Sequence, residues 1–188
     1  MKKLSIVLFL FIIGCASINT SIGNMGGDSA FSPNFDLLRN YRLAVLPATS
    51  GIPIEVSTFS SLYDFVSFEL LKTGRFSLIE RQAIDAILRE QEFGVSGIAD
   101  PSTAAELGKV LGADAVLLTQ VNQIKRDEFF KDEEAYDAVV FVRLVDSSTG
   151  EILYYGKGFG SNMDGKLGAI LNAVSNAIKP LKEKGDTE

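Results

Sequence analysis

The alternation of apolar and polar positions divides the chain into a leader, a polar stretch and a domain of strands and helices. Residues 4–13 form a run of ten that is apolar except for Ser5 and follows Lys2 and Lys3. Such a run is about half of what an α-helix needs to cross a bilayer, whereas a charged start before a short apolar core is typical of a secretory signal peptide. We therefore predict that residues 1–14 are a cleaved signal peptide.

The next stretch, residues 15–31, is rich in Ser, Asn, Gly and Asp and has no periodicity. This composition predicts a flexible tether with an end-to-end distance on the order of 20 Å. Ser32 and Pro33 then predict the start of a short helix that continues through Leu37 and Leu38.

Short apolar runs and helical periodicity alternate in the rest of the chain. Ile84, Ile87, Leu88 and Gln91 recur at the spacing of one helix face, and Asp100 before a proline favours the start of another helix. The predicted strands are 43–46, 76–79, 115–124, 138–145 and 151–158, and the predicted helices are 55–73, 80–91, 100–111 and 167–181. We therefore predict an α/β domain over residues 32–182, with a mixed sheet of about five strands flanked by helices, and a disordered tail at 183–188.

Composition narrows the range of functions. The 188 residues carry a formal charge of −6 and no basic cluster, which argues against binding to nucleic acid. Histidine is absent, and no serine, lysine or carboxylate pair has an identifiable activating partner. We therefore expect no enzymatic activity, no catalytic residue, no cofactor-binding site and no metal site.

Two segments have candidate roles that we weigh against structural ones. Gly156, Gly158 and Gly160 superficially resemble a phosphate-binding loop. They recur at period two in a hairpin strand, however, so we expect them to let a helix or a neighbouring subunit approach the sheet. The acidic run 132–134 lacks the spacing of a calcium loop, and we interpret it as a solvated hairpin tip.

Cys15 is the only cysteine and directly follows the predicted signal peptide. Residues 12–16 resemble the bacterial lipobox, which implies cleavage before Cys15 and covalent lipid, including palmitate, on that residue. Two or three acyl chains anchor a protein permanently. Position 16 is Ala rather than the Asp that tends to retain enteric lipoproteins at the inner membrane, so the resemblance implies the periplasmic face of the outer membrane.

Four stretches of the domain also follow a recognisable order. They are 42–47 (RLAVLP), 73–81 (TGRFSLIER), 105–114 (AELGKVLGAD) and a hairpin at 142–146 (VRLVD) with 148–153 (STGEIL). Together they resemble the CsgG-like family, whose best-known member is the curli-secretion channel lipoprotein and whose fold is related to LpoB-type lipoproteins. The resemblance implies a non-catalytic, lipid-anchored homo-oligomer that acts in envelope assembly or secretion through contacts with other envelope proteins.

The sequence departs from the secretion channel where that protein inserts membrane hairpins. Nine of the sixteen residues in 122–137 are charged, and a lysine or arginine that faces lipid costs up to roughly 2–4 kcal/mol. The other corresponding connection, 156–164, is too short for two spanning strands, so we expect no transmembrane hairpins. Two alternatives stay open: a lipoprotein activator of a peptidoglycan synthase and a subunit of an outer-membrane secretion pore.

The helix predicted at 55–73 is apolar around most of its circumference. Phe65 and Phe68 fall beside its core-facing side, and such a helix must be buried on two sides. Either another helix of the domain covers these side chains or they form a protein–protein contact, and we take Phe65 and Phe68 as candidate contact residues.

Overall fold

One mixed sheet organises the part of the chain that the computed structural model describes, residues 26–36, 38–90, 100–126 and 135–183. Its strands are β1 (Gly27–Phe31), β2 (Tyr41–Val45), β3 (Thr49–Ser50), β4 (Phe76–Leu78), β5 (Ala115–Arg126), β6 (Tyr136–Asp146) and β7 (Ile152–Asn162). The helices are α1 (Val56–Leu71), α2 (Arg81–Glu90), α3 (Pro101–Leu111) and α4 (Lys166–Glu183).

The strands lie in the order β1-β7-β6-β5-β2-β4, with β3 also beside β5. Pairing is parallel where β2 meets β4 and β5, and where β3 meets β5. It is antiparallel between β5, β6, β7 and β1. The predicted α/β fold with a mixed sheet is therefore confirmed, and β1 and β3 are the strands that it gains over the predicted five.

Two apolar cores lie on opposite faces of this sheet. Alternate residues of a strand point to opposite faces, and on β5 Leu117 and Val121 join the core that packs against α1 and α4. Val116 and Leu118 join the smaller core that packs against α2 and α3. Because the smaller core takes its sheet residues from β2, β5 and the end of β6, it leaves much of β6 and β7 uncovered on that face.

The sequence signals for α3 work as expected. The Asp100 carboxylate accepts hydrogen bonds from the backbone N–H groups of Ser102 and Thr103, at 2.9 and 3.3 Å, and Pro101 occupies the first turn. Gly112 ends the helix at φ 64°, a conformation that glycine adopts without steric cost.

The glycines of β7 let α4 approach the sheet very closely. Gly156, Gly158 and Gly160, which we call the glycine row, face Ala177, Ala173 and Ala169 in turn. Two residues of a strand advance by about 6.8 Å and four residues of a helix by about 6.0 Å. The spacing of the glycines along β7 therefore nearly matches the spacing of the alanines along α4. A side chain at Gly158 would overlap the carbonyl oxygen of Ala173. Of the two partners that the sequence leaves open for these glycines, the partner here is a helix of the same chain.

The beginning of the domain differs from the expectation. Residues 27–31, predicted as tether, form β1, because the edge of β7 offers them a partner from Gly158 to Tyr154. The helix predicted through Leu37 and Leu38 is wrong over the described residues 32–36 and 38–40, which form turns and bends instead. Phe35 anchors these turns, with its ring stacked 5.5 Å from that of Tyr41.

The long strands also extend into segments that the sequence assigns to connections. β5 continues to Arg126 and β6 begins at Tyr136, so much of 122–137 is strand, and Lys125 lies opposite Asp137. An opposite-charge pair of this kind supports strand pairing. β7 continues to Asn162, leaving only a short connection before α4. Among the described helices, none is both long and apolar enough to cross a membrane.

Candidate contact surfaces

Some of the candidate residues lie outside the described ranges. Cys15 precedes the first described residue, and the acidic run 132–134 falls in the gap between β5 and β6. The same holds for residues 184–188 of the predicted tail. Lipid attachment at Cys15 therefore stays a prediction from the sequence.

Phe65 and Phe68 both lie on α1 but in different surroundings. Phe65 is half-buried and packs against the larger core. Phe68 is 62% exposed, and Leu71 on the next turn is 53% exposed. We call Phe68 and Leu71 the α1 patch. Lys72 lies beside it, with its Nζ 5.4 Å from the centre of the Phe68 ring.

A carboxylate next to the α1 patch connects α1 to α4. The Glu69 side chain is only 13% exposed, and its oxygens accept hydrogen bonds from Lys182 Nζ at 2.7 Å and Lys72 Nζ at 3.0 Å. The hydrogen bond from Lys182, and to a smaller degree the one from Lys72, hold the pKa of Glu69 below its usual range. The α1 patch is therefore mounted on a helix whose end is fixed to the domain.

A second surface lies on the uncovered side of β6 and β7, and sequence reasoning missed it. We call it the open face, and its central residues are Phe141, Tyr155, Lys157 and Phe159. The rings of Phe141 and Tyr155 meet edge to face at 5.8 Å, and Lys157 Nζ is 4.6 Å from the centre of the Phe159 ring. The signal for this surface is the alternation of these side chains with the glycine row along β7.

A third surface lies where α1 and α4 begin. It contains Val56, Met163 and Leu167, which are 81%, 54% and 39% exposed. Leu167 lines a groove of about 510 Å³ together with Ile54, and the residues next to Val56 and Met163 in the chain, Glu55 and Asp164, line it as well. No set of three or more acidic or thiol side chains in the described part of the chain is placed to bind a metal ion.

Residues 44–128 match the family model of the curli production assembly/transport component CsgG. These 85 of the 188 residues are therefore similar to a CsgG domain. The matched segment runs from β2 to just beyond β5 and includes α1 with its patch. The recognition made from the sequence motifs is confirmed, and a search of curated proteins found no significant match.

Solved structures with the same fold include proteins from three bacteria. The PelC dodecamer of Paraburkholderia phytofirmans is 14% identical, covers 83% of this chain and 96% of its own, and has a TM-score of 0.54. Lipoprotein GNA1162 of Neisseria meningitidis is 19% identical, with 74% and 98% covered and a TM-score of 0.53. LpoB of E. coli is 16% identical, with 73% and 62% covered and a TM-score of 0.51. At these identities the likeness shows a shared fold.

Proposed function

We propose that this protein is a non-catalytic envelope lipoprotein, anchored through Cys15 at the periplasmic face of the outer membrane, that assists envelope assembly or secretion as a homo-oligomer. The match of residues 44–128 to a curli assembly and transport component carries the proposal. The lipobox-like sequence around Cys15 supports the anchor, and the lone cysteine lies where a lipobox requires it.

The α1 patch supports a function based on contact. Phe68 and Leu71 are large apolar side chains that are more than half exposed. Adjacent exposed apolar residues are characteristic of sites that bind other proteins, and an aromatic residue is among the commonest anchors of such contacts. Since Glu69 fixes this part of α1 to α4, the patch is presented with little conformational entropy to lose on binding.

The anchor is tested by labelling cells with radioactive palmitate. The wild-type chain should incorporate label and sediment with membranes, whereas Cys15→Ser should lose both properties. Lack of label in the wild type, together with unchanged membrane association of Cys15→Ser, contradicts the anchor. Comparison of inner- and outer-membrane fractions then tests the predicted location.

The contact is tested with paired substitutions on α1. Phe68→Ser with Leu71→Ser should lower the oligomer mass measured by sedimentation velocity and the yield of cross-linked partners in cells. Phe65→Ser with Phe68→Ser should have the same effect but also lower stability, because Phe65 packs against the core. Val110→Ser on α3, where the side chain is 57% exposed, is the matched control. If the α1 double variants assemble and cross-link as the wild type does, the α1 patch is not the contact.

The identity of the cross-linked proteins separates the remaining alternatives. Components of a secretion or assembly apparatus support the proposal, whereas a penicillin-binding protein favours an activator of a peptidoglycan synthase. Reproducible conductance steps from the purified protein in planar bilayers favour a pore subunit.

A further inference from the structure

One end of the domain combines exposed apolar side chains from three separate elements. Val56 begins α1, Met163 lies in the connection after β7, and Leu167 is in the first turn of α4. The three elements meet at one groove, because the residues on either side of Val56 line it together with Asp164 and Leu167. We call the surface formed by Val56, Met163 and Leu167 the tether end.

The described chain enters the domain close to this end. β1 is antiparallel to β7, with Gly27 opposite Gly158 and Phe31 opposite Tyr154. Followed backwards from Phe31 to Gly27, β1 thus points along β7 towards Asn162, the residue before Met163. Asn162 lies four positions beyond Gly158 along the strand, which corresponds to about 14 Å.

The distance along the chain to Cys15 limits how far this entry point can lie from a membrane. Cys15 and Gly26 are eleven residues apart, which fixes a reach of at most about 40 Å at full extension and about 18 Å for an average unstructured chain of that length. The opposite end of the sheet, where β7 begins at Ile152, is about 20 Å beyond Gly158. At full extension the chain could reach either end, but the tether end, about 14 Å from Gly158, lies within the average reach and the opposite end lies beyond it. An anchor at Cys15 therefore favours the orientation in which the tether end faces the lipid.

The chemistry of the tether end suits a lipid surface. Valine, methionine and leucine side chains gain free energy by entering the boundary between headgroups and acyl chains. Lys166 lies beside them, with its Nζ 5.5 Å from the centre of the Tyr136 ring. Lysine and tyrosine combine an apolar body with a polar tip and are therefore suited to the headgroup level.

Acidic residues on the groove limit the depth of this contact, and so does the sequence of the segment that joins β5 to β6 at the same end, in which residues 127–134 read DEFFKDEE. Glu55 and Asp164 line the groove beside Leu167, and a carboxylate disfavours both the acyl region and an anionic headgroup. A shallow contact with zwitterionic lipid meets both constraints. A deep insertion does not.

We propose that the tether end rests on the membrane that holds the Cys15 lipid, with Val56, Met163 and Leu167 at the boundary between zwitterionic headgroups and acyl chains. This inference depends on the lipid anchor of the proposed function. It adds a fixed orientation, in which the α1 patch, on the last turns of α1, lies about 20 Å further from the bilayer along the helix.

The chain contains no tryptophan, so a single introduced tryptophan reports on its own surroundings. Full-length lipidated protein carrying Met163→Trp, or separately Val56→Trp, is placed in phosphatidylcholine vesicles with brominated acyl chains. Val110→Trp is the control, because Val110 is exposed on α3 near the start of β5, at the opposite end of the sheet. Circular dichroism identifies any variant that fails to fold.

We expect tryptophan at 163 and at 56 to emit at shorter wavelength and to be quenched at least about twofold more than at 110, since interfacial side chains enter the acyl boundary by roughly 5–10 Å. Palmitate incorporation without preferential quenching at either position overturns the orientation and leaves the anchor intact. Capture of a protein by a photo-cross-linker at 163, with no quenching, overturns it in favour of a protein contact. Absence of palmitate overturns the proposed function itself.

Discussion

The two faces of β7 compare directly, because alternate residues of one strand supply them. On one face the glycine row lies against the backbone of α4, and an added side chain has no space. On the other face, Tyr155 and Phe159 of the open face are 38% and 37% exposed. The two faces of β7 therefore have different roles. The glycine row fixes the position of α4, whereas residues of the open face can be substituted without disturbing that packing.

The covered face also contains the polar group that fastens α4 in register. Tyr154 is fully buried, and its hydroxyl donates a hydrogen bond to the carbonyl oxygen of Ala177. Burial raises the pKa of Tyr154, so the phenol stays a donor throughout the range in which the protein is stable. Along β7, close backbone packing and this one buried hydrogen bond therefore add to the apolar contacts that Ile170, Val174 and Ile178 of α4 make in the larger core.

Replacing Gly158 with valine should lower the free energy of unfolding more than any other substitution proposed here. Its branched side chain would meet the carbonyl of Ala173 and the backbone of Ala177, so α4 must move, and we expect a loss of about 3 kcal/mol or more in the free energy of unfolding. Phe159→Val places the same residue one position along, on the open face, and should cost less than about 1 kcal/mol. Urea unfolding monitored by circular dichroism measures both, and similar losses would contradict the contrast between the two faces.

Alanine at Asp100 tests the incomplete helix layer beside the open face. Loss of the bonds to the N–H groups of Ser102 and Thr103 should cost about 1 kcal/mol, the usual effect of removing an N-cap. Hydrogen exchange should quicken in α3 before it does in α4, because α4 packs on the other face. Asp100→Asn, which keeps an acceptor at the cap, should restore most of the loss. If hydrogen exchange quickens equally in α3 and α4, the helices on the two faces of the sheet open together, and the expected contrast between them is wrong.

Glutamine at Glu69 tests the rim of the covered face, where α1 joins α4. Lys182 and Lys72 hold the pKa of Glu69 below its usual range, so the ionised form is the one that folding favours. Its contribution, about 1 kcal/mol for a partly screened pair, should be full above the ordinary glutamic acid pKa of about 4.3. It should disappear as the pH falls through the lowered value.

Unfolding curves of wild type and Glu69→Gln at a series of pH values measure this difference. Lys179→Gln is the control, since Lys179 pairs with Glu183 in a bridge that is about 60% exposed on both sides, and removing it should change little at any pH. If the difference in unfolding free energy between wild type and Glu69→Gln stays constant down to acidic pH, ionised Glu69 does not stabilise the fold in the way described.

Local signals in the sequence were sufficient to predict most helices and strands and to predict which face of β7 a helix or a neighbouring subunit would cover. Asp100 and Gly112 set the ends of α3 through local geometry, and the glycine row shows its period directly. The helical angle also separates the two candidate phenylalanines: relative to buried Val66, Phe65 is about 100° away and Phe68 about 160°. The first angle gives a boundary position and the second an outward one, as the structure places them.

Features that depend on distant partners could not be read locally. β1 begins with Gly27 and Asp28, which are poor strand formers, and it exists because β7 has a free edge. The open face arises because α2 and α3 pack over β2 and β5 and stop short of β7. No pattern within β7 reports where those helices lie.

The smallest expected effect concerns the centre of the open face. Lys157 Nζ lies 4.6 Å from the centre of the Phe159 ring and 6.0 Å from that of Phe141, so Lys157→Gln removes two exposed cation–π contacts and should cost about 0.5 kcal/mol in unfolding free energy. Lys157→Arg keeps the charge over the rings and should match the wild type. If the open face is used for assembly, the same glutamine variant should lower the oligomer mass by far more than this stability loss explains. If the mass is unchanged, Lys157 does not contribute to assembly, and the open face differs from the covered one in its tolerance of substitution.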